Sequence, residues 1–164
     1  MRITSFLIMG VAGCGKTTVG RLLAETLRWD FLDADDFHPS ANIAKMEAGI
    51  PLSDSDRTPW LSALNEALRS SLASGCHPVL ACSALKESYR EVLRRGIDGL
   101  QIIYLKGSYE LLWPRLADRR GHYMKSAMLQ SQFEALEEPS DALVVDVRDG
   151  VEGIVEEILK VCPI

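Results

Sequence analysis

The 164-residue sequence is short of several features, and each shortage narrows its reading. It has four cysteines, Cys14, Cys76, Cys82 and Cys162, which form neither a CxxC pair nor a quartet with neighbouring histidines. That spacing speaks against a zinc site or a disulfide-stapled scaffold, and reduced thiols in a cytoplasmic chain are the expectation. No apolar run approaches the ~20 residues needed to cross a bilayer. The apolar opening Ile3 to Met9 is too short to span one and carries no small-residue cleavage site, so neither a membrane partner nor a secretory leader is expected. Positive charge is also short: 18 Lys plus Arg stand against 23 Asp plus Glu, a net charge of -5. A general binder of nucleic acid polymers needs the opposite balance, because it gains affinity by displacing counterions.

What is present is ordinary globular material, 47% hydrophobic and 25% charged, which excludes a disordered or collagen-like chain. At this length one domain over residues 1–164 is expected. Ile3 to Met9 reads as a buried strand ending at Gly10. After a loop, Val19, Leu22, Leu23, Thr26 and Leu27 recur at helical spacing. A second strand covers Phe31 to Asp33, a short helix lies between Pro39 and Gly49, and a longer helix starts at about Pro59 and ends at Gly75. Further strands are expected at Pro78 to Cys82, Leu100 to Leu105 and Ala142 to Val147. Helices are expected around Leu85 to Leu93, from near Tyr109, at Ser126 to Leu136, and along Val151 to Cys162. Pro114 lies too deep in its pattern for a first-turn proline, which predicts a kink or a late helix start. Strands alternating with helices predict a three-layer α/β fold with a five-stranded parallel sheet.

The run Gly10, Val11, Ala12, Gly13, Cys14, Gly15, Lys16, Thr17 satisfies G-x-x-x-x-G-K-[ST] between a strand and a helix. Glycines let main-chain N–H groups converge on phosphate oxygens, and the helix N-terminus adds positive potential. Lys16 is expected to reach the outer phosphates and the Thr17 hydroxyl to bind Mg²⁺, with Thr18 completing the loop. Cys14 has two readings: a thiol acidified in an anion nest, or a small residue that serves through its backbone N–H.

The third strand ends in Cys82 and Ser83 without the carboxylate that switch GTPases and motor ATPases place there. The acids instead follow the second strand, as Asp33, Ala34, Asp35 and Asp36. Asp33 and Asp35 fall on one side of an extended chain, where they can face a phosphate-bound metal and a hydroxyl acceptor, as a small-molecule kinase requires. Asp36 reads as a solvated capping residue. Arg115, Arg119 and Arg120 precede Gly121 and His122. Alone they read as a solvated basic face; with an upstream phosphate loop they read as a lid over residues 115–130. The Arg-Leu-x-x-Arg order is similar to the lid of nucleoside monophosphate kinases, which implies Arg115 on the adenine and Arg119 on phosphate. Residues 86 to 125 hold nine basic and five acidic side chains, a cationic tract within an acidic chain.

Five segments together resemble the gluconate kinases of the small P-loop type: Gly10 to Thr18; Asp33 to Pro39 with Asn42, Ile43, Lys45 and Met46; Pro51 to Leu61; Cys82 to Arg90; and Gly121 to Tyr123 followed by Ser131, Gln132, Phe133, Leu136 and Pro139. Ala12 and Cys14 stand where the family has serines, Ala34 replaces a glycine, Tyr123 replaces a phenylalanine, and Pro114 is unusual. The resemblance implies a P-loop kinase fold with a mobile lid, ATP and Mg²⁺ as cofactors, D-gluconate as acceptor at its 6-hydroxyl, a cytoplasmic enzyme of gluconate utilization, and a homodimer. Lys16, Asp35 and Arg119 then carry catalysis, and Thr17 and Asp33 hold the metal, Asp33 through water. Arg57 is the candidate for the substrate carboxylate because its fork binds bidentately, with Lys86 and Arg90 as further cations. His38, Ser83 and Gln132 are candidates for the hydroxyls, although His38 reads equally well as a helix-entry residue. Two alternatives stay open: a kinase of another hydroxy acid such as shikimate, and an ATP-binding regulatory module without turnover. Asp54 to Leu61 with Cys82 to Arg90 favour gluconate kinase over shikimate kinase.

Overall fold

The computed structural model describes residues 1–117 and 122–164; for 122–126 it describes the backbone course but not the side chains. Among these residues are five strands, all parallel, in the order β2-β3-β1-β4-β5: β1 (Ser5–Met9), β2 (Asp30–Asp33), β3 (Pro78–Ala81), β4 (Leu100–Lys106) and β5 (Leu143–Asp146). Seven α-helices connect and cover them: α1 (Lys16–Leu27), α2 (Ser40–Glu47), α3 (Asp54–Ala73), α4 (Glu87–Arg94), α5 (Tyr109–Ala117), α6 (His122–Ala135) and α7 (Gly150–Val161). The five-stranded parallel α/β architecture expected from the alternation is the one observed.

β1 sits at the centre, paired with β3 through Leu7 and Leu80 and with β4 through Leu7 and Ile102. Its five residues are all buried, because each face of the sheet carries its own apolar layer. Phe6, Ile8, Val79, Ile103 and Leu105 face one layer, with Val19 and Leu23 of α1 and Ile154 and Ile158 of α7. Leu7, Met9, Leu80, Ile102 and Tyr104 face the other, with Leu61, Leu64 and Leu68 of α3 and Leu93 of α4. The chain leaves β1 toward α1, with β3 on one side and β4 on the other. This is the point where an open parallel sheet forms a crevice at its carboxyl ends.

Two helices differ from the periodicity, and a third carries a proline inside it. α3 begins at Asp54, five residues before Pro59, because Ser53 and Asp56 close a reciprocal cap: Ser53 Oγ accepts from the Asp56 N–H at 3.1 Å and Asp56 Oδ2 accepts from the Ser53 N–H at 2.9 Å. With that start secured, Pro59 forgoes only its own N–H bond, to the carbonyl of the exposed Ser55. α5 starts at Tyr109 as the periodicity expects, so the late start suggested by Pro114 does not occur and the proline lies inside the helix; Ser108 Oγ caps the Leu111 N–H at 3.2 Å. α6 begins at His122, four residues before the expected Ser126.

Candidate active site

The phosphate-loop motif occupies the turn between β1 and α1. Gly10 is required twice over: its φ is +150°, and a Cβ there would lie 2.7 Å from Cys14 Sγ and 2.8 Å from the Leu105 carbonyl oxygen. Gly15 opens α1 with φ +96° and no side-chain cap, so the N–H groups of the first turn are left for an anion. Lys16 Nζ folds back onto the Val11 carbonyl at 3.2 Å, close to where phosphate oxygens would compete for it.

The acidic run ends β2 as anticipated. Asp33 Oδ1 accepts from the Asp35 N–H at 3.0 Å, capping a short 3-10 turn (Ala34–Phe37), and Oδ2 accepts from Thr17 Oγ1 at 3.2 Å. The cap fixes the carboxylate that meets the threonine. A hydroxyl beside a carboxylate, the threonine exposed and the aspartate half-buried, both offering oxygen, suits Mg²⁺, which keeps most of its water and takes few protein ligands. Asp35 is exposed and follows the same turn, so β2 and its cap position both acids.

A cavity of about 500 Å³ joins these groups. Gly13, Gly15, Lys16, Thr17 and Thr18 line its phosphate end, with Asp33 and Asp35 alongside. His38, Arg57, Ser83 and Gln132, drawn from four separate segments, line it as well. Arg57 Nη1 donates to the Leu52 carbonyl at 2.7 Å and to Tyr89 Oη at 3.4 Å, and the guanidinium lies 5.6 Å from the centroid of the Tyr89 ring. Tyr89 in turn donates to Asp54, which also pairs with Lys86 at 3.2 Å. The two donors hold the Asp54 carboxyl below the usual carboxylate range, Tyr89 contributing first and Lys86 second. Arg57 is thus braced from behind, and its Nε and Nη2 have no partner among the described residues.

Several expectations are corrected. Arg90 is 1% exposed and does not reach the cavity: its guanidinium bonds the Ala84 and Glu137 carbonyls at 2.7 and 2.8 Å and the Glu87 carboxylate at 2.9 Å. It anchors the turn after β3, where Ala84 holds a φ of +45°, and thereby supports the neighbouring Ser83. Lys86 does not line the cavity either, being engaged with Asp54. Arg94 and Lys106 are paired with Glu87, Asp141 and Glu138, so these four members of the cationic tract are neutralised by carboxylates rather than turned toward a ligand. Cys14 is 2% exposed, packed under Gly10. Burial pushes its thiol up and Lys16 only partly opposes this, which removes the acidified, reactive reading.

Gln132 has a role not anticipated. Its Oε1 accepts from the Ala12 N–H at 2.7 Å, tying α6 to the phosphate loop and occupying one of the loop's donors. Arg115 donates to the Val147 carbonyl at 3.4 Å and is not in the cavity wall. Arg119 lies outside the described residues. Met46, Leu52, Trp60 and Met128 also line the cavity. Met46, Leu52 and Trp60 could have been found from their places in the family-like segments; Met128, 41% accessible, lies outside those segments and has no such signal.

A phosphate loop at the sheet crevice, a hydroxyl and carboxylate pair for a metal, a second acid, and a polar acceptor chamber with an arginine define a P-loop kinase of small molecules. Comparison with known proteins narrows the class. The Shikimate kinase family model matches residues 12–163. The thermoresistant gluconokinase of Escherichia coli K12 is 44% identical over 160 residues, spanning 95% of this chain and 91% of that one. Among solved structures, a gluconokinase from Sinorhizobium meliloti superposes with a TM-score of 0.85 at 44% identity, covering 98% of this chain and 92% of that one. A sugar kinase from a Janibacter species superposes at 0.87 with 40% identity, covering 96% and 93%. The chain belongs to the gluconokinase family, within the broader group of shikimate-kinase-like enzymes.

Proposed function

We propose that this protein transfers the γ-phosphoryl group of ATP to the 6-hydroxyl of D-gluconate, giving 6-phosphogluconate and ADP. The observation that carries the reading is Arg57, a braced cation in the same cavity as the phosphate loop and Asp35, in a chain 44% identical to a gluconokinase. An open-chain polyol acid needs one cation for its carboxylate and several polar groups for its hydroxyls; Arg57 supplies the first, and His38 and Ser83 contribute to the second.

The acceptor oxygen attacks the γ-phosphorus, the bond from that phosphorus to the bridging oxygen of ADP breaks, and the hydroxyl proton passes to Asp35. Phosphoryl transfer gains mostly from positioning and charge neutralisation, so the first-turn N–H groups of α1 and Lys16 carry more of the acceleration than the strength of the base. Thr17, and Asp33 through water, would hold Mg²⁺, which would supply charge neutralisation at the phosphates when bound. Arg119, and Arg115 after release from the Val147 carbonyl, serve as lid cations over residues 115–130. Closure excludes water that would otherwise hydrolyse ATP.

The test is an ADP-release assay with gluconate, shikimate and AMP offered separately. Turnover with gluconate is expected; turnover only with another acceptor, or with none, overturns the reading. The proposal extends to a cytoplasmic homodimer, supported by the family resemblance and by four unpaired cysteines, and light scattering decides the dimer. No helix among the described residues is long and apolar enough to cross a membrane.

A further inference from the structure

His38 is held on two sides by groups that take no part in phosphoryl transfer. Its ring stacks on Trp60, with centroids 4.3 Å apart and planes 11° from parallel. Trp60 is 5% exposed and its Nε1–H donates to the Ala34 carbonyl at 2.7 Å, so the indole is a fixed wall against which the imidazole keeps its plane. At its other side, His38 Nδ1 faces Asn42 Nδ2 at 3.4 Å. Asn42, on α2, is 4% exposed, and the same Nδ2 donates to the Asp56 carbonyl oxygen at 2.9 Å.

The Asp56 bond decides which way the Asn42 amide points. A main-chain carbonyl only accepts, so the amide atom beside it is the nitrogen and not the oxygen. An amide NH₂ only donates, so His38 Nδ1 must be the accepting nitrogen, and the ring proton sits on Nε2. A second proton on Nδ1 would set donor against donor. Burial of the ring and the Arg57 guanidinium on α3 also disfavour the cation, opposed by the charge of Asp35 in the turn after β2.

We propose that Asn42 is a positioning residue that locks His38 as the neutral Nε2–H tautomer, giving the acceptor end of the cavity one fixed hydrogen-bond donor for a hydroxyl oxygen of the sugar acid. Nε2 has no partner among the described residues, and His38 lines the cavity. An acceptor lacking the matching hydroxyl leaves this N–H unpaired, which makes the donor a determinant of specificity. The assignment of the hydroxyl's owner rests on the gluconate reading; the tautomer does not.

The test has two arms. In ¹⁵N-labelled wild-type protein without ligand, long-range ¹H–¹⁵N correlations of the imidazoles, with His38 assigned by loss of its signals in His38→Gln, should give Nε2 protonated and Nδ1 bare at neutral pH. Asn42→Leu should mix the tautomers. In the kinetic arm, His38→Gln keeps a donor near the Nε2 position and His38→Asn keeps one only near Nδ1. His38→Asn should raise the acceptor KM about tenfold with the ATP KM unchanged, while His38→Gln stays within about threefold. A protonated Nδ1 in the wild-type protein, or equal losses in the two histidine variants, overturns the proposal. An Nε2–H tautomer that becomes mixed in Asn42→Leu, in a protein that does not phosphorylate gluconate, would sink the functional reading and leave the positioning role of Asn42 standing for whichever acceptor the assay identifies; a tautomer unchanged in folded Asn42→Leu overturns that role.

Discussion

Thr17 Oγ1 donates to Asp33 Oδ2 across 3.2 Å, joining the first turn of α1 to the end of β2. The two residues are sixteen positions apart, yet they form one oxygen-lined corner because β2 and β1 both flank β3 in the sheet.

That corner should behave as a single metal-binding unit. Thr17→Val and Asp33→Asn are each expected to raise the Mg²⁺ concentration for half-maximal activity several-fold, and the double variant should lose less than the product of the two, because neighbours in one site are not additive. A magnesium titration of activity checks this; multiplicative losses would separate the residues.

Asp35 lies two residues beyond Asp33, and its N–H caps on that residue. Asp35→Asn should lower kcat by about a hundredfold or more while nucleotide affinity, measured by calorimetry, stays unchanged. Unchanged kcat would remove Asp35 from the reaction.

Arg57 is held by Leu52 and Tyr89, with Asp54 behind the tyrosine. Arg57→Lys should raise the gluconate KM about tenfold or more with a smaller effect on kcat, because a lysine cannot keep both its brace and a bidentate contact. Tyr89→Phe should produce a smaller rise of the same kind. Steady-state kinetics in both substrates distinguishes this from a loss of ATP binding.

Cys14, Cys82 and Cys162 are buried, and burial pushes the Cys82 thiol up to about 12. Cys76 alone is exposed, and a hydrogen bond to Asp30 with that residue's charge raises its thiol too. Native protein should therefore take up one alkylating group, faster as the pH rises, and denatured protein four. Intact-mass spectrometry reads the number, and rapid labelling of Cys14 that ATP suppresses would restore a reactive thiol in the loop.

Asp56 receives the Ser53 N–H first and the Lys45 ammonium second, which hold its carboxyl at about 2, below its ordinary 3.8. A carboxyl depressed in the folded state stabilises above its unfolded value, and that contribution fades as the pH falls through the folded one. Urea unfolding should thus show stability declining between pH 4 and 2, and Asp56→Asn should both lower stability at neutral pH and flatten that part of the acid limb. A parallel acid limb in the variant would contradict the assignment.

The sequence by itself determined the sheet, the order of its elements and the phosphate loop. Strand-loop-helix periodicity and the glycine spacing are local properties, dictated by short-range sterics and by burial of every residue in β1. It also marked most cavity-lining side chains, because Asp33, Asp35, His38 and Arg57 lie in segments with a recognisable family order. Tertiary structure alone decided which cations are free. Arg57 and Arg90 look alike in the sequence, but Arg90 packs beneath the turn after β3, where three oxygens engage all three nitrogens of its guanidinium, whereas Arg57 keeps Nε and Nη2 without described partners. The tautomer of His38 is likewise a tertiary property, since it depends on an asparagine from α2 reading the direction of a carbonyl in α3. Hydrogen-bond saturation depends on what folds against a side chain, and no spacing rule along one segment contains that information.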